Sequence, residues 1–181
     1  LIGIIGSKED ATKIKADIKT YLESKLKLEL SEEKTLITHT SKFAKFLGYH
    51  ISVYRTNHPK RDTKGRLIRS FNKRVKLWVS MDTIKKKLLD FGAMEIKCHN
   101  GTEWWKPREH AKSINLDDLE ILQKYNYTIR GFHNYYAIAN NAAHLNTFKY
   151  IMEYSMYRTF AAKYKTKVHK LLKRYERDGL F

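Results

Sequence analysis

Seven consecutive residues, Arg130-Gly131-Phe132-His133-Asn134-Tyr135-Tyr136, bring together side chains suited to a nucleic-acid strand. Arg130 can make charge-assisted hydrogen bonds to phosphate. Asn134 can hydrogen-bond a sugar or a base edge, and tyrosine rings stack on unpaired bases. On a helix Tyr135 and Tyr136 fall about 100° apart, so at most one points squarely inward. The competing reading is packing, with Gly131 permitting close helix approach and Asn134 satisfying a buried neighbour. A second group is electrostatic: Lys60, Arg61, Lys64, Arg66, Arg69, Lys73 and Arg74 lie in a run from Arg55 to Lys76 whose only acid is Asp62. Such a run is either a finger of positive charge for a phosphate backbone or a solvated loop. Metal chemistry has little to work with. Asp117-Asp118 are the only adjacent aspartates, and they read as helix-start residues that suit the dipole. The eight histidines are scattered without metal-ligand spacing. Cys98 is the single cysteine, which excludes an internal disulfide and a cysteine-based zinc site.

Composition points the same way. The 181 residues hold 36 Lys and Arg against 19 Asp and Glu, a formal charge of +17. An excess of this size attracts polyanions and repels itself. Twelve tyrosines are interleaved among the basic residues, which favours single-stranded or irregular nucleic acid over a merely solvated lysine-rich surface. No apolar run approaches the roughly 20 residues needed to span a bilayer, so membrane insertion is not expected. A protein–protein module with an incidental basic surface is the remaining class.

The elements that must position these groups are of mixed α+β type. Leu1-Ile2-Gly3-Ile4-Ile5-Gly6 reads as a buried strand. Ala11, Ile14, Ile18, Tyr21, Leu22 and Leu26 trace one helical stripe after a Ser7 cap. A strand is expected near residues 35–39 and another at Phe46-Leu47-Gly48-Tyr49, with Gly48 where the strand bends or another backbone comes close. Val53–Arg55 and Val75–Val79 form a hairpin with a charged tip. Ser80 opens a helix that stops near Gly92. Residues 93–113 read as a connection with Trp104-Trp105 as anchors. Asn115 caps a long helix, a second follows with Leu145, Phe148, Ile151, Met152, Ser155, Thr159 and Ala162 on one side, and a basic tail carries Val168, Leu171 and Leu172. Short links favour antiparallel packing, hence a three-helix bundle.

Two stretches carry a family resemblance. Leu28 to His39, spelling L-x-L-S-x-x-K-T-x-I-x-H, is followed by Phe46-Leu47-Gly48-Tyr49 and Ile51. This resembles the end of a reverse-transcriptase palm, in particular that of group II intron-encoded enzymes, the maturases. Arg130 to Tyr136 in the pattern R-G-x-x-N-Y-Y, preceded by Leu122, Tyr125 and Asn126 and followed by Met152-Glu153-Tyr154-Ser155, resembles the same family's thumb, or X domain.

The resemblance implies a C-terminal piece of a larger RNA-directed DNA polymerase and splicing factor. It would comprise a palm end over 1–52, a basic connecting hairpin over 53–79 and a helical thumb over 80–181. It implies that Lys34 is the palm lysine thought to donate a proton to the leaving pyrophosphate or to sense the bound nucleotide, and that Phe46, Leu47, Gly48 and Tyr49 form the primer grip. An exposed Lys34 with no such role is the alternative. Arg130, Asn134, Tyr135 and Tyr136 would contact RNA. The aspartates holding catalytic Mg2+ would lie upstream, so no cofactor is expected in this chain and Mg2+ in the parent, and the chain alone should not polymerise. Implied partners are group II intron RNA, an RNA/DNA template-primer and the fingers and palm of the same enzyme. The implied setting is the bacterial cytoplasm or an organelle. A stand-alone basic RNA-binding module is the alternative function.

Overall fold

Ser7 decides where the first helix begins. Its hydroxyl accepts from the Asp10 N–H at 3.1 Å while the Asp10 carboxylate accepts from the Ser7 N–H at 2.9 Å. This reciprocal pair caps α1, Lys8–Tyr21. The computed structural model describes residues 1–55, 58–68 and 73–177, with side chains as far as 174. Arg69 therefore lies outside the described residues. The chain divides into two units, Leu1–Lys76 and Leu77–Phe181.

In the first unit α1 runs into a wider turn of π type at Leu22–Leu26 and ends at Lys27, whose φ of 53° stops the helix. No residue of α1 is fully buried. Two lysines tie the helix to the following turn: Lys15 donates to the Thr35 carbonyl at 2.7 Å, and Lys19 pairs with Glu32 at 3.0 Å. The first residues correct the expectation of a buried strand. Residues 1–6 carry no strand and are almost wholly exposed, and residues 35–39 likewise form no strand. Apolar runs become strands only where a neighbour completes the hydrogen-bond ladder, and none does so here among the described residues.

Strands do form around Gly48. β1, Ala44–Phe46, and β2, Tyr49–Val53, are antiparallel, with Phe46 opposite Tyr49. Leu47 and Gly48 make the whole connection with φ of 47° and 76°. Two positive φ angles define a type I′ turn, so Gly48 closes a tight hairpin rather than bending a strand. The expected pairing across the basic segment is also present, and the segment carries a ribbon of its own. β3, Lys60–Arg61, pairs with β4, Leu67–Ile68, as a small ribbon, and β5, Val75–Trp78, joins β2 as third strand of the sheet.

The second unit is mostly helical. α2, Met81–Phe91, is capped by Ser80 and terminated by Gly92 at φ 79°. Residues 93–113 are not the irregular connection expected. β6, Met94–His99, and β7, Thr102–Pro107, form a regular antiparallel hairpin. Its turn is Asn100-Gly101, with φ of 50° and 75°, the dipeptide a type I′ turn favours most. α3, Asp118–Tyr136, is capped by Asp117 rather than Asn115. α4, Leu145–Lys163, and α5, Val168–Arg177, complete the unit.

α4 is the axis of the core. Leu145, Phe148, Ile151, Met152, Ser155, Met156, Thr159, Phe160 and Ala161 are buried along it, whereas Ala162 is exposed. α2, α3 and α5 all pack on α4, so the expected three-helix bundle carries α2 as a fourth member. Phe132 stacks on Phe148 at 4.1 Å between ring centres, and Phe91 meets Tyr125 edge-on at 5.1 Å. Each fully buried side chain of this size contributes about 1.5–3 kcal/mol. Beyond α3, Asn140 and Asn141 clamp the chain. The Asn140 side chain accepts from the Leu77 N–H, and Asn141 both accepts from the Val79 N–H and donates to its carbonyl, all at 2.8–2.9 Å. None of the described helices is long and apolar enough to cross a membrane.

Candidate nucleic-acid interface

The basic hairpin is built around its one acid. The Asp62 carboxylate accepts from the Lys64 and Arg66 N–H groups at 2.9 and 2.8 Å, fixing the turn. Arg61 donates to the Gly65 carbonyl at 2.7 Å across the same turn. Asp62 is thus occupied with backbone. Lys60, Arg61, Lys64 and Arg66 are exposed on the ribbon, and Lys73 and Arg74 are exposed where the chain returns to the sheet. Lys76 sits 3.7 Å above the Tyr54 ring. The ribbon's cations are thus carried on a turn held by hydrogen bonds, and cations held in place meet phosphates at less entropic cost than those of a loose loop.

In the second unit α3 sorts its residues by angle. Tyr136 is 6% exposed and rests against Phe132, whereas Tyr135 is 51% exposed. Arg130 and Asn134, one turn apart, are both on the solvent side, so the packing reading of Asn134 does not hold. Nor does the packing reading of Gly131: a Cβ built there meets nothing within 4 Å. Beside it runs an open groove of about 650 Å³ between α2 and α3, lined by Thr83, Lys86, Lys87 and Asp90 on one wall and Tyr127, Gly131 and Tyr135 on the other. Sequence reasoning passes over the α2 wall. Its signal is the spacing of residues 83, 86, 87 and 90, a polar stripe at helical period. It also passes over an aromatic row on α4, where Tyr150, Tyr154 and Tyr157 follow one another at 4.9 and 6.0 Å between ring centres.

Asp117 and Asp118 are used structurally. Asp117 caps α3 through the Leu119 N–H. Asp118 pairs with Lys163 at 2.6 Å and accepts from the Tyr164 hydroxyl. These hydrogen bonds, that from Lys163 foremost, hold its carboxyl below the usual carboxylate range. Neither residue suits a catalytic metal.

In the first unit Lys34 is exposed in the turn after Glu33. Phe46 and Leu47 are exposed at the β1–β2 turn, and Tyr49 is buried behind them.

A family model described as Type II intron maturase matches residues 72–178. The chain belongs to that family. It is 41% identical over 180 residues, 99% of its length, to the group II intron-encoded protein LtrA of Lactococcus lactis subsp. cremoris. It is 35% identical over 173 residues, 92% of its length, to the putative COX1/OXI3 intron 1 protein of Saccharomyces cerevisiae. The chain spans 29% and 20% of the lengths of these two relatives. The maturase match contains α2 to α5, the groove and Arg130 to Tyr136. Lys34 and Phe46 to Tyr49 lie outside it, within the likeness to the Lactococcus protein.

Proposed function

We propose that this chain is the RNA-binding C-terminal part of a group II intron reverse transcriptase/maturase. In this reading residues 1–52 close the palm, residues 53–79 form a basic connecting ribbon and residues 80–181 are the thumb. The observation that carries it is the cationic ribbon, together with exposed Arg130, Asn134 and Tyr135 inside the maturase match. The ribbon and Arg130 bind phosphates, and Tyr135 with Asn134 engages unpaired bases and sugars. Lys34 then serves as an exposed cation near a leaving phosphate in the whole enzyme, and the Phe46-Leu47-Gly48-Tyr49 turn holds a primer end by shape. The whole enzyme would copy RNA into DNA with Mg2+ held by its own upstream carboxylates, and would assist splicing of its intron. Its setting would be a bacterial cytoplasm or an organelle.

The test is binding of a structured group II intron RNA at physiological salt. Replacing Arg130 and Tyr135 together by alanine is expected to weaken binding at least roughly thirtyfold, since a stacked base and a charged contact are each worth about 1–3 kcal/mol and every 1.4 kcal/mol is tenfold. Unchanged affinity would remove these residues from the interface.

A further inference from the structure

Gly131 sits in the middle of a 19-residue helix, where glycine is unfavourable relative to alanine. No neighbour requires it, because the space a methyl group would fill is empty. That space opens into the α2–α3 groove, which Gly131 lines from the α3 wall. The facing wall holds a second locally unfavourable choice. Asp90 lies in the last turn of α2, the negative end of the helix dipole. It has no ion-pair or hydrogen-bond partner among the described residues. Lys86 and Lys87, one turn earlier, have none either. A groove built from a needless glycine, an unpaired carboxylate and two unpaired cations is organised for a ligand carrying both phosphate and hydrogen-bond donors.

We propose that this groove receives a single unpaired guanine nucleotide of a bound RNA. The inference rests on the RNA-binding reading and adds a base-specific site to it. Phe91, at the end of α2, meets Tyr125 in the first half of α3, so the two helices pass with Asp90 at the Tyr127 end. Tyr127 is 70% exposed and offers a ring face to a base. An ionised carboxylate only accepts, through two oxygens. The Watson–Crick edge of guanine presents two adjacent donors, N1–H and the N2 amino group, which match that pair. Uracil presents one donor there, flanked by carbonyls that a carboxylate repels. Lys86 and Lys87 meet the phosphates, and Gly131 lets the sugar–phosphate strand approach the helix backbone. At about 650 Å³ the groove is within the usual range for a small-molecule site.

The experiment uses the 181-residue chain and a set of RNA hairpins that differ only at one position, carrying a bulged G, A, C or U or no bulge. Affinities are read by fluorescence anisotropy and folding by thermal melting. The unmodified chain is expected to prefer the bulged G over the bulged U and the unbulged hairpin by roughly tenfold. Asp90→Asn should lose the preference between G and U while still binding the unbulged RNA. Gly131→Ala should melt roughly 2–5 °C higher yet bind the bulged G several-fold more weakly. Stability and affinity moving in opposite directions is a signature that a structural glycine does not give. Equal affinity for every hairpin would overturn the pocket and leave RNA binding standing. So would Gly131→Ala that is more stable and binds bulged G as before. Failure to bind any of them would overturn both readings.

Discussion

Tyr125 shows how a polar residue is kept in the helical core. Its hydroxyl lies 2.8 Å from Ser155 Oγ and 3.1 Å from Thr159 Oγ1. Ser155 already donates to the Arg108 carbonyl and Thr159 to the Ser155 carbonyl, so the tyrosine proton is the one left to share. Burial pushes the Tyr125 phenol up from its ordinary value, consistent with a permanent donor. Tyr125→Phe is expected to lower the unfolding free energy by about 1–2 kcal/mol, the cost of leaving acceptors short of a donor, as measured by urea titration. The sequence shows Tyr125 only as part of a motif, because its partners are 30 and 34 residues away. Tyr135 and Tyr136 are better defined by sequence: adjacent helical residues cannot both face inward, and the core settles which one does.

At the scale of elements, helices are legible where a cap and an apolar stripe coincide. Ser7, Ser80 and Gly92 all mark boundaries found in the structure. The hairpin over 94–107 escapes the sequence reading although Asn100-Gly101 is a strong turn signal, because Trp104, Trp105 and Pro107 also suit an irregular anchor. The strand expected at the first residues fails for the opposite reason, an apolar pattern without a partner. After the hairpin, His110 joins the network. Its N–H donates to Thr159 at 2.9 Å, and its ring lies 2.6 Å from Ser113 Oγ, which Lys124 also reaches at 3.2 Å. Burial first, then the charges of Lys124 and Lys112, lower its pKa from 6.5. The folded unit therefore favours neutral His110, and the unfolded chain takes up its proton first as pH falls. This contribution to stability is complete above about 6.5 and is lost as pH drops through the lowered value. Melting temperature should fall as pH drops below about 6.5, and His110→Gln should flatten that decline, as followed by melting at a series of pH values.

For the whole molecule the governing fact is charge. A net +17 over 181 residues is a large excess, and such an excess is tolerated where a polyanion offsets it. Composition alone carries that fact. It does not carry the arrangement that makes the charge usable, in which the ribbon's acid is spent on folding the turn and the cations are left outward. Counterion release gives the most direct measurement of the central claim, that the chain binds RNA through several phosphates at once. The affinity of the 181-residue chain for structured intron RNA, measured from roughly 50 to 200 mM monovalent salt, should fall about a thousandfold or more, linearly in a log–log plot. An affinity that stays flat across this range would contradict the account.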